Sequence, residues 1–118
     1  MAAIPPVVSF QDQIPPADSF TTDPARVVSG TGAQTVANLF SSRDGRFNCG
    51  IWTGAVGAWR VTFTENEFCH LLEGVVRVTA SDGASRTFRA GDAFVMPAGF
   101  EGVWEVVEPA RKYYAVYE

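Results

Sequence analysis

Positive charge is scarce in this sequence. The chain has one lysine, Lys112, and eight arginines scattered from Arg26 to Arg111, against thirteen acidic residues, so 118 residues carry a formal net charge of −4. No basic stripe exists to track phosphates, and nucleic acid is not expected as a partner. Long apolar runs are also missing. None approaches the roughly 18 residues of a membrane span, so no membrane partner is expected. The opening Met1-Ala-Ala-Ile-Pro-Pro has neither a basic start nor an unbroken apolar stretch, and no secretory leader is read there. Cysteine is limited to Cys49 and Cys69, which lack metal spacing and need not pair; a reducing, cytoplasmic setting is expected. Helix-permitting stretches are short too, because eleven glycines and seven prolines fall at close intervals.

What remains is the pattern of a single all-β domain. The longest stretch free of Gly and Pro, residues 58–73, opens with Trp59-Arg-Val-Thr-Phe63, a period-2 alternation rich in β-branched and aromatic residues. Residues 67–72 are apolar on both faces, which predicts a central strand. Glu73-Gly74 reads as a turn, residues 75–79 as a strand, and Ser81-Asp-Gly83 as a hairpin turn into residues 85–89. Ala90-Gly-Asp92 turns into residues 93–96, where Asp92 is expected to accept backbone N–H groups. Residues 102–107 and 112–117 close the series on either side of Glu108-Pro-Ala110. About seven strands, with turns every eight to twelve residues or so, mean an antiparallel sandwich or barrel. Residues 35–40 fit an edge strand or a short helical turn. Pro5, Pro6, Pro15, Pro16 and Pro24 make residues 1–25 an extended arm that cannot join a central sheet, and that either wraps the domain or contacts a partner.

Two glycine-punctuated frames stand out: Gly54, Arg60, Thr62, Glu67 and Gly74, then Gly91, Pro97, Gly99 and Gly102. Together they resemble the two motifs of the cupin superfamily. The surrounding words, among them Gly50-Ile-Trp52, Glu67-Phe-Cys-His-Leu-Leu-Glu-Gly74, Ala90-Gly-Asp-Ala-Phe94 and Arg111-Lys-Tyr113, are similar to the cupin subfamily named after (S)-ureidoglycine aminohydrolase, over residues 47–117. The resemblance implies an antiparallel double-stranded β-helix, or jelly-roll barrel, over residues 26–118, with motif 1 at 54–74 and motif 2 at 91–105. In metal-binding members two histidines occupy the positions of Arg60 and Thr62, a glutamate that of Glu67, and a third histidine that of Gly102. Only Glu67 is present here. One carboxylate beside a permanent guanidinium is a poor site for a divalent cation, so no metal cofactor is predicted; a manganese-type or other divalent ion is the alternative.

Strand parity distributes the remaining candidates. Glu67, Cys69 and Leu71 share one face, and Phe68, His70 and Leu72 the other. His70 is therefore expected to point away from Glu67, as a buried, hydrogen-bonded histidine rather than a ligand. Cys69 reads either as an ordinary buried cysteine or as a soft ligand or nucleophile. Arg60, Thr62, Glu67, Cys69, Trp52 and Trp104 are the expected cavity residues, the tryptophans as apolar wall and Arg60 with Glu67 as polar anchor. Arg60–Glu67 reads as an ion pair or as a clamp for a carboxylate or ureido group; the tryptophans alternatively just fill the barrel. Arg111 and Lys112 are expected to meet Glu105 or Glu108 at the surface. The leading expectation is a metal-free cupin that binds a small polar metabolite. A metal-dependent aminohydrolase-like enzyme and a structural or interaction module are the alternatives, and whether the chain is an enzyme stays open. A homodimer is expected through the back face of Phe68, His70 and Leu72, together with the arm.

Overall fold

The computed structural model describes residues 3–118. Among these residues nine strands follow one another: β1 (Asp18–Thr21), β2 (Val27–Gly30), β3 (Ala33–Ser41), β4 (Phe47–Gly54), β5 (Gly57–Thr62), β6 (Asn66–Ala80), β7 (Ser85–Arg89), β8 (Ala93–Met96) and β9 (Glu101–Tyr117), with one 3₁₀ turn at Pro24–Arg26. Every pairing is antiparallel. The fold is an all-β jelly roll, as the cupin resemblance implies; the turn spacing predicts the antiparallel barrel, with about seven strands where nine form.

Two long strands organise it. β9 pairs through residues 110–117 with β4 on one side and the first half of β6 on the other; its residues 101–106 pair with β5 and the second half of β6. Each therefore runs through both walls of the barrel. β3 and β1 extend the first wall beyond β4, and β8 closes it beside β6; β2 and β7 flank the second.

The bend that makes this possible lies where the sequence predicts a turn at Glu73-Gly74 and a break at residues 108–110. Neither interrupts its strand. Instead the β6–β9 ladder slips register between Leu71 and Val76, and Pro109, which has no N–H to offer, falls in the gap between paired segments. Gly74 sits there at φ +86°, and a Cβ on it would collide with the Pro109 carbonyl oxygen. Paired bulges thus replace a turn, because a glycine and a proline on facing strands can be skipped together.

The hairpin at residues 81–83 forms as predicted, with Asp82 Oδ1 accepting the Ala84 N–H at 2.9 Å. Asp92 Oδ2 accepts the Arg89 N–H at 2.8 Å. Residues 35–40 are strand: β1 lies outside residues 35 and 36, and among the described residues 37–40 form an edge beside β4. The segment before β1 touches the barrel where Phe10 stands edge-on to Tyr113, at 4.8 Å between centroids. Ile4 and Val7 are exposed.

The core lies between the walls. Leu71, Val76, Val106 and Cys69 are fully enclosed there, each aliphatic side chain contributing about 1.5–3 kcal/mol by leaving water. On the first half of β6 parity holds: Cys69 and Leu71 point inward with Glu67, while Phe68 is exposed and His70 lies half-buried on the outside against Tyr113, at 6.2 Å between centroids.

Candidate functional site

A cavity of about 420 Å³ opens between the walls. β3 contributes Gln34, Val36 and Asn38, β4 contributes Asn48 and Trp52, β5 contributes Trp59 and Val61, and β9 contributes Trp104, Lys112 and Tyr114; Glu67 enters from β6. All three tryptophans of the chain thus face one space. An adjoining outer chamber of about 560 Å³ shares Phe20, Trp59, Val61, Phe63 and Glu67 with it, and is also faced by Arg26, Arg60 and Thr62.

The charged centre of the inner cavity is a pair that sequence reasoning missed. Lys112 Nζ stands 2.5 Å from Glu67 Oε2. Its ammonium lies 4.8 Å from the ring centroid of Trp52 and 4.3 Å from that of Trp104, and the two indoles meet edge to face. Lys112 is only 5% exposed, an environment in which a cation persists only if paired. Register explains how it gets there: Lys112 is opposite Trp52 on β4 and opposite Leu71 on β6, so its side chain is committed to the interior. Burial works to lower its pKa, but the neighbouring Glu67 and Cys69 outweigh burial and raise it, so the ammonium is retained. The aromatic faces add cation–π attraction on two sides.

Cys69 joins this pair from the same strand face. Its thiol donates to Glu67 Oε2 at 3.1 Å, and Lys112 Nζ is 3.5 Å from the sulfur. Burial pushes the thiol pKa up to about 12; Lys112 opposes that and Glu67 reinforces it. A thiol so held stays protonated and is a poor nucleophile, which answers the alternative left open for it.

Around the pair the polar groups are tied together. Trp52 Nε1 donates to Gln34 Oε1 at 3.0 Å. Tyr114 donates its hydroxyl proton to Asn38 Oδ1 at 2.8 Å, in space that Gly50 leaves free, and burial pushes its pKa up to about 12. Trp104 Nε1 is occluded with no partner among the described residues.

Of the six expected cavity residues the structure brings four together: Glu67, Cys69, Trp52 and Trp104. Arg60 and Thr62 face the adjoining chamber instead. Trp59, directly opposite Trp104, and Val61 turn inward from β5, which sends Arg60 and Thr62 to the exposed side. The frame counted from Gly54 is one residue out of step, and a one-residue shift reverses every side chain of a strand. The physical preference is plain, since enclosing an indole is favourable and enclosing an unpaired guanidinium is not. Arg60 donates instead to the Ala25 carbonyl at 2.6 Å, and the expected Arg60–Glu67 pair does not form. Lys112 likewise meets neither Glu105 nor Glu108; Glu105 pairs with Arg77 at 3.2 Å on the surface. The signal available for Lys112 was its parity: it alternates with Tyr114 and Val116 in a strand bearing the chain's only lysine.

These residues do not fit the divalent metal that the cupin resemblance associates with such a site. Arg60 and Thr62 face away, a side chain at Gly102 would run into the Thr79 carbonyl, and the carboxylate of Glu67 already holds an ammonium. Among the described residues no three His, Cys, Asp or Glu side chains lie close enough together to hold an ion. Among the same residues no helix is long and apolar enough to cross a membrane.

Comparison with known proteins agrees on the fold. No curated protein matches significantly. Among solved structures, the chain is similar to the EutQ protein of Clostridium difficile (21% identity, TM-score 0.64, 71% of this chain and 61% of that one). It is also similar to a DUF861 family protein of unknown function from Pseudomonas syringae (22% identity, TM-score 0.75, 92% of this chain and 46% of that one). A DUF861 family protein from Thermotoga maritima is 39% identical over 54% of this chain and 73% of that one, with a TM-score of 0.53. The chain thus spans less than two-thirds of the first two. The finer likeness to the ureidoglycine aminohydrolase subfamily finds no counterpart in these matches. The family of EutQ-like cupin domains matches residues 41–114, well over half of the sequence, and the chain belongs to it.

Proposed function

We propose that this domain encloses a small polar metabolite in the cavity between its walls, without using a tightly held metal. The observation that carries the reading is a space of about 420 Å³ with a mostly apolar wall that includes all three tryptophans, and one charged pole, Glu67–Lys112. Sites for small organic ligands are commonly built this way, from apolar walls and a few placed polar groups. The aminohydrolase-like alternative requires a cation where Lys112 now presents its ammonium, and the geometry lends it no support.

A thermal-shift screen of small metabolites on untagged protein, run beside metal analysis, tests the reading. A metabolite that raises the melting temperature, with Mn²⁺ and a chelator both without effect, is the expected result. A stoichiometric divalent ion that is lost in Glu67→Gln overturns it and favours the hydrolase. We also propose that the domain pairs with a second copy through the outer face of β6 and β8. There Phe68 and Val95 stand opposite each other, 49% and 57% exposed, on a chain that also carries exposed Ile4 and Val7 in its arm. A monomer by light scattering at micromolar concentration refutes the pairing.

A further inference from the structure

We propose that the occupant of the cavity is an uncharged molecule that presents N–H or O–H donors to Glu67, such as a primary amide or an alcohol, and not a carboxylate or phosphate. This rests on the cavity-binding reading above and names its ligand class.

The inference comes from which polar groups lining the cavity are already committed. Gln34 accepts from Trp52 and donates to Thr22 Oγ1 at 2.7 Å and to the Gly32 carbonyl at 3.1 Å. Asn38 accepts from Tyr114 and donates to the Phe40 carbonyl and to Ser41 Oγ. Neither amide has a donor left for a ligand. Lys112 directs its ammonium at Glu67, Cys69 and two indole faces, so its charge is already countered by a carboxylate.

Glu67 differs. Its Oε2 takes both Lys112 and Cys69, and its Oε1 has no hydrogen-bond partner among the described residues. The one occluded side-chain nitrogen or oxygen without a partner among those residues is Trp104 Nε1, so Glu67 Oε1 is reachable. The side chain is 15% exposed and faces both chambers. Asn48, whose Nδ2 is tied to the Gly45 carbonyl at 3.0 Å, adds a second acceptor, Oδ1, with no partner among the described residues. The uncommitted capacity that carries charge is therefore acceptor capacity, on Glu67 Oε1; the donors left over are neutral, the second N–H of Asn48 Nδ2 and the occluded Trp104 Nε1.

A ligand donor meeting Glu67 Oε1 forms a charge-assisted bond, whereas a ligand carboxylate meets a like charge at short range. The arginines do not reverse this. Arg26 and Arg60 stand in the outer chamber with Asp23 and Glu65, and Arg60 is already bonded to a backbone carbonyl. Trp59, Val61 and Phe63 offer the apolar surface for the rest of the molecule.

Three probes of nearly equal shape decide the matter by isothermal titration calorimetry, with fluorescence of the three tryptophans as a second readout. Benzamide is neutral with donors, acetophenone is neutral without them, and benzoate is anionic without them. Wild-type protein is expected to bind benzamide at least tenfold more tightly than either of the others. Glu67→Gln, which leaves the Lys112 ammonium uncompensated, is expected to invert the order so that benzoate gains and benzamide loses. Should that variant fail to fold, the wild-type order alone decides. Benzoate or acetophenone binding wild type as tightly as benzamide overturns this inference and leaves the cavity reading standing. Failure of all three to bind, up to their solubility limits, removes the cavity reading and this inference with it.

Discussion

Lys112→Met separates the charge of the buried pair from its shape. Methionine is close to lysine in length and apolar volume, so it can lie between Trp52 and Trp104 without opening a void. What disappears is the ammonium 2.5 Å from Glu67 and 4.3–4.8 Å from two ring centroids. Removing one partner of a buried ion pair costs about 3–5 kcal/mol, because the other charge stays enclosed without compensation. Glu67 retains some contact with water, at 15% side-chain exposure, which places the expected loss near the lower end, about 3 kcal/mol. Against a total of roughly 5–15 kcal/mol for a domain this size, that is a large fraction. Urea unfolding followed by tryptophan fluorescence measures it, with an unchanged m-value as evidence that only stability moved. The decisive comparison is Lys112→Met with Glu67→Leu in one chain. If the pair is what each residue is there to satisfy, the double variant loses at least about 1 kcal/mol less than the two single losses added together. A loss under about 1 kcal/mol for Lys112→Met, or strictly additive losses in the double variant, refutes the view that this pair is the polar centre of the cavity.

Three further outcomes follow from the same geometry. Lys112→Ala retains the Cβ and deletes a propylammonium, so millimolar n-propylammonium should raise the melting temperature of that variant while n-propanol does not; equal effects of the two would mean the aromatic cage does not select a cation. At pH 8 iodoacetamide should label Cys49, which is only partly buried, and spare Cys69, whose thiol is enclosed and pushed up to about 12; mass spectrometry of tryptic peptides reads this, and labelling of Cys69 in folded protein contradicts it. Stability should also fall as pH rises above about 9. The folded-state pKa of Cys69 lies above its unfolded value of 9.0 and that of Lys112 above 10.5, so the unfolded chain releases these protons first. Each such group contributes fully below its unfolded pKa and loses that contribution as pH climbs towards the folded one, at up to about 1.4 kcal/mol per pH unit. Cys69→Ala should flatten the curve between pH 9 and about 12, and an unchanged slope would assign the alkaline loss elsewhere.

Why some of this site was legible in the sequence and some was not comes down to how far a side chain's environment is set by its own strand. Around Glu67 the period-2 rule sufficed: Cys69 and Leu71 went in with it, and Phe68 and His70 went out. On β5 the same rule was available, and Trp59 and Val61, with Phe63 just past its end, form the bulkier apolar set. Their burial outweighs any placement of Arg60 and Thr62 inward, and a motif frame counted from a distant glycine is too coarse to resolve a single-residue step. The bends at Gly74 and Pro109 were visible as interruptions but not as partners, since a bulge shared by two strands depends on a register that only the folded ladder fixes. Lys112 is the hardest case. Parity groups it with Tyr114 and Val116, but Tyr113 and Tyr117 make the opposite face aromatic too, so the local pattern does not say which face is interior. Its burial is favourable only because a carboxylate 45 positions earlier arrives on the same face of the neighbouring strand, with two indoles beside it. The compensation is wholly non-local. Glu67 therefore has a role in this chain that needs no metal: a tethered ammonium keeps one carboxylate oxygen engaged and leaves the other facing the cavity.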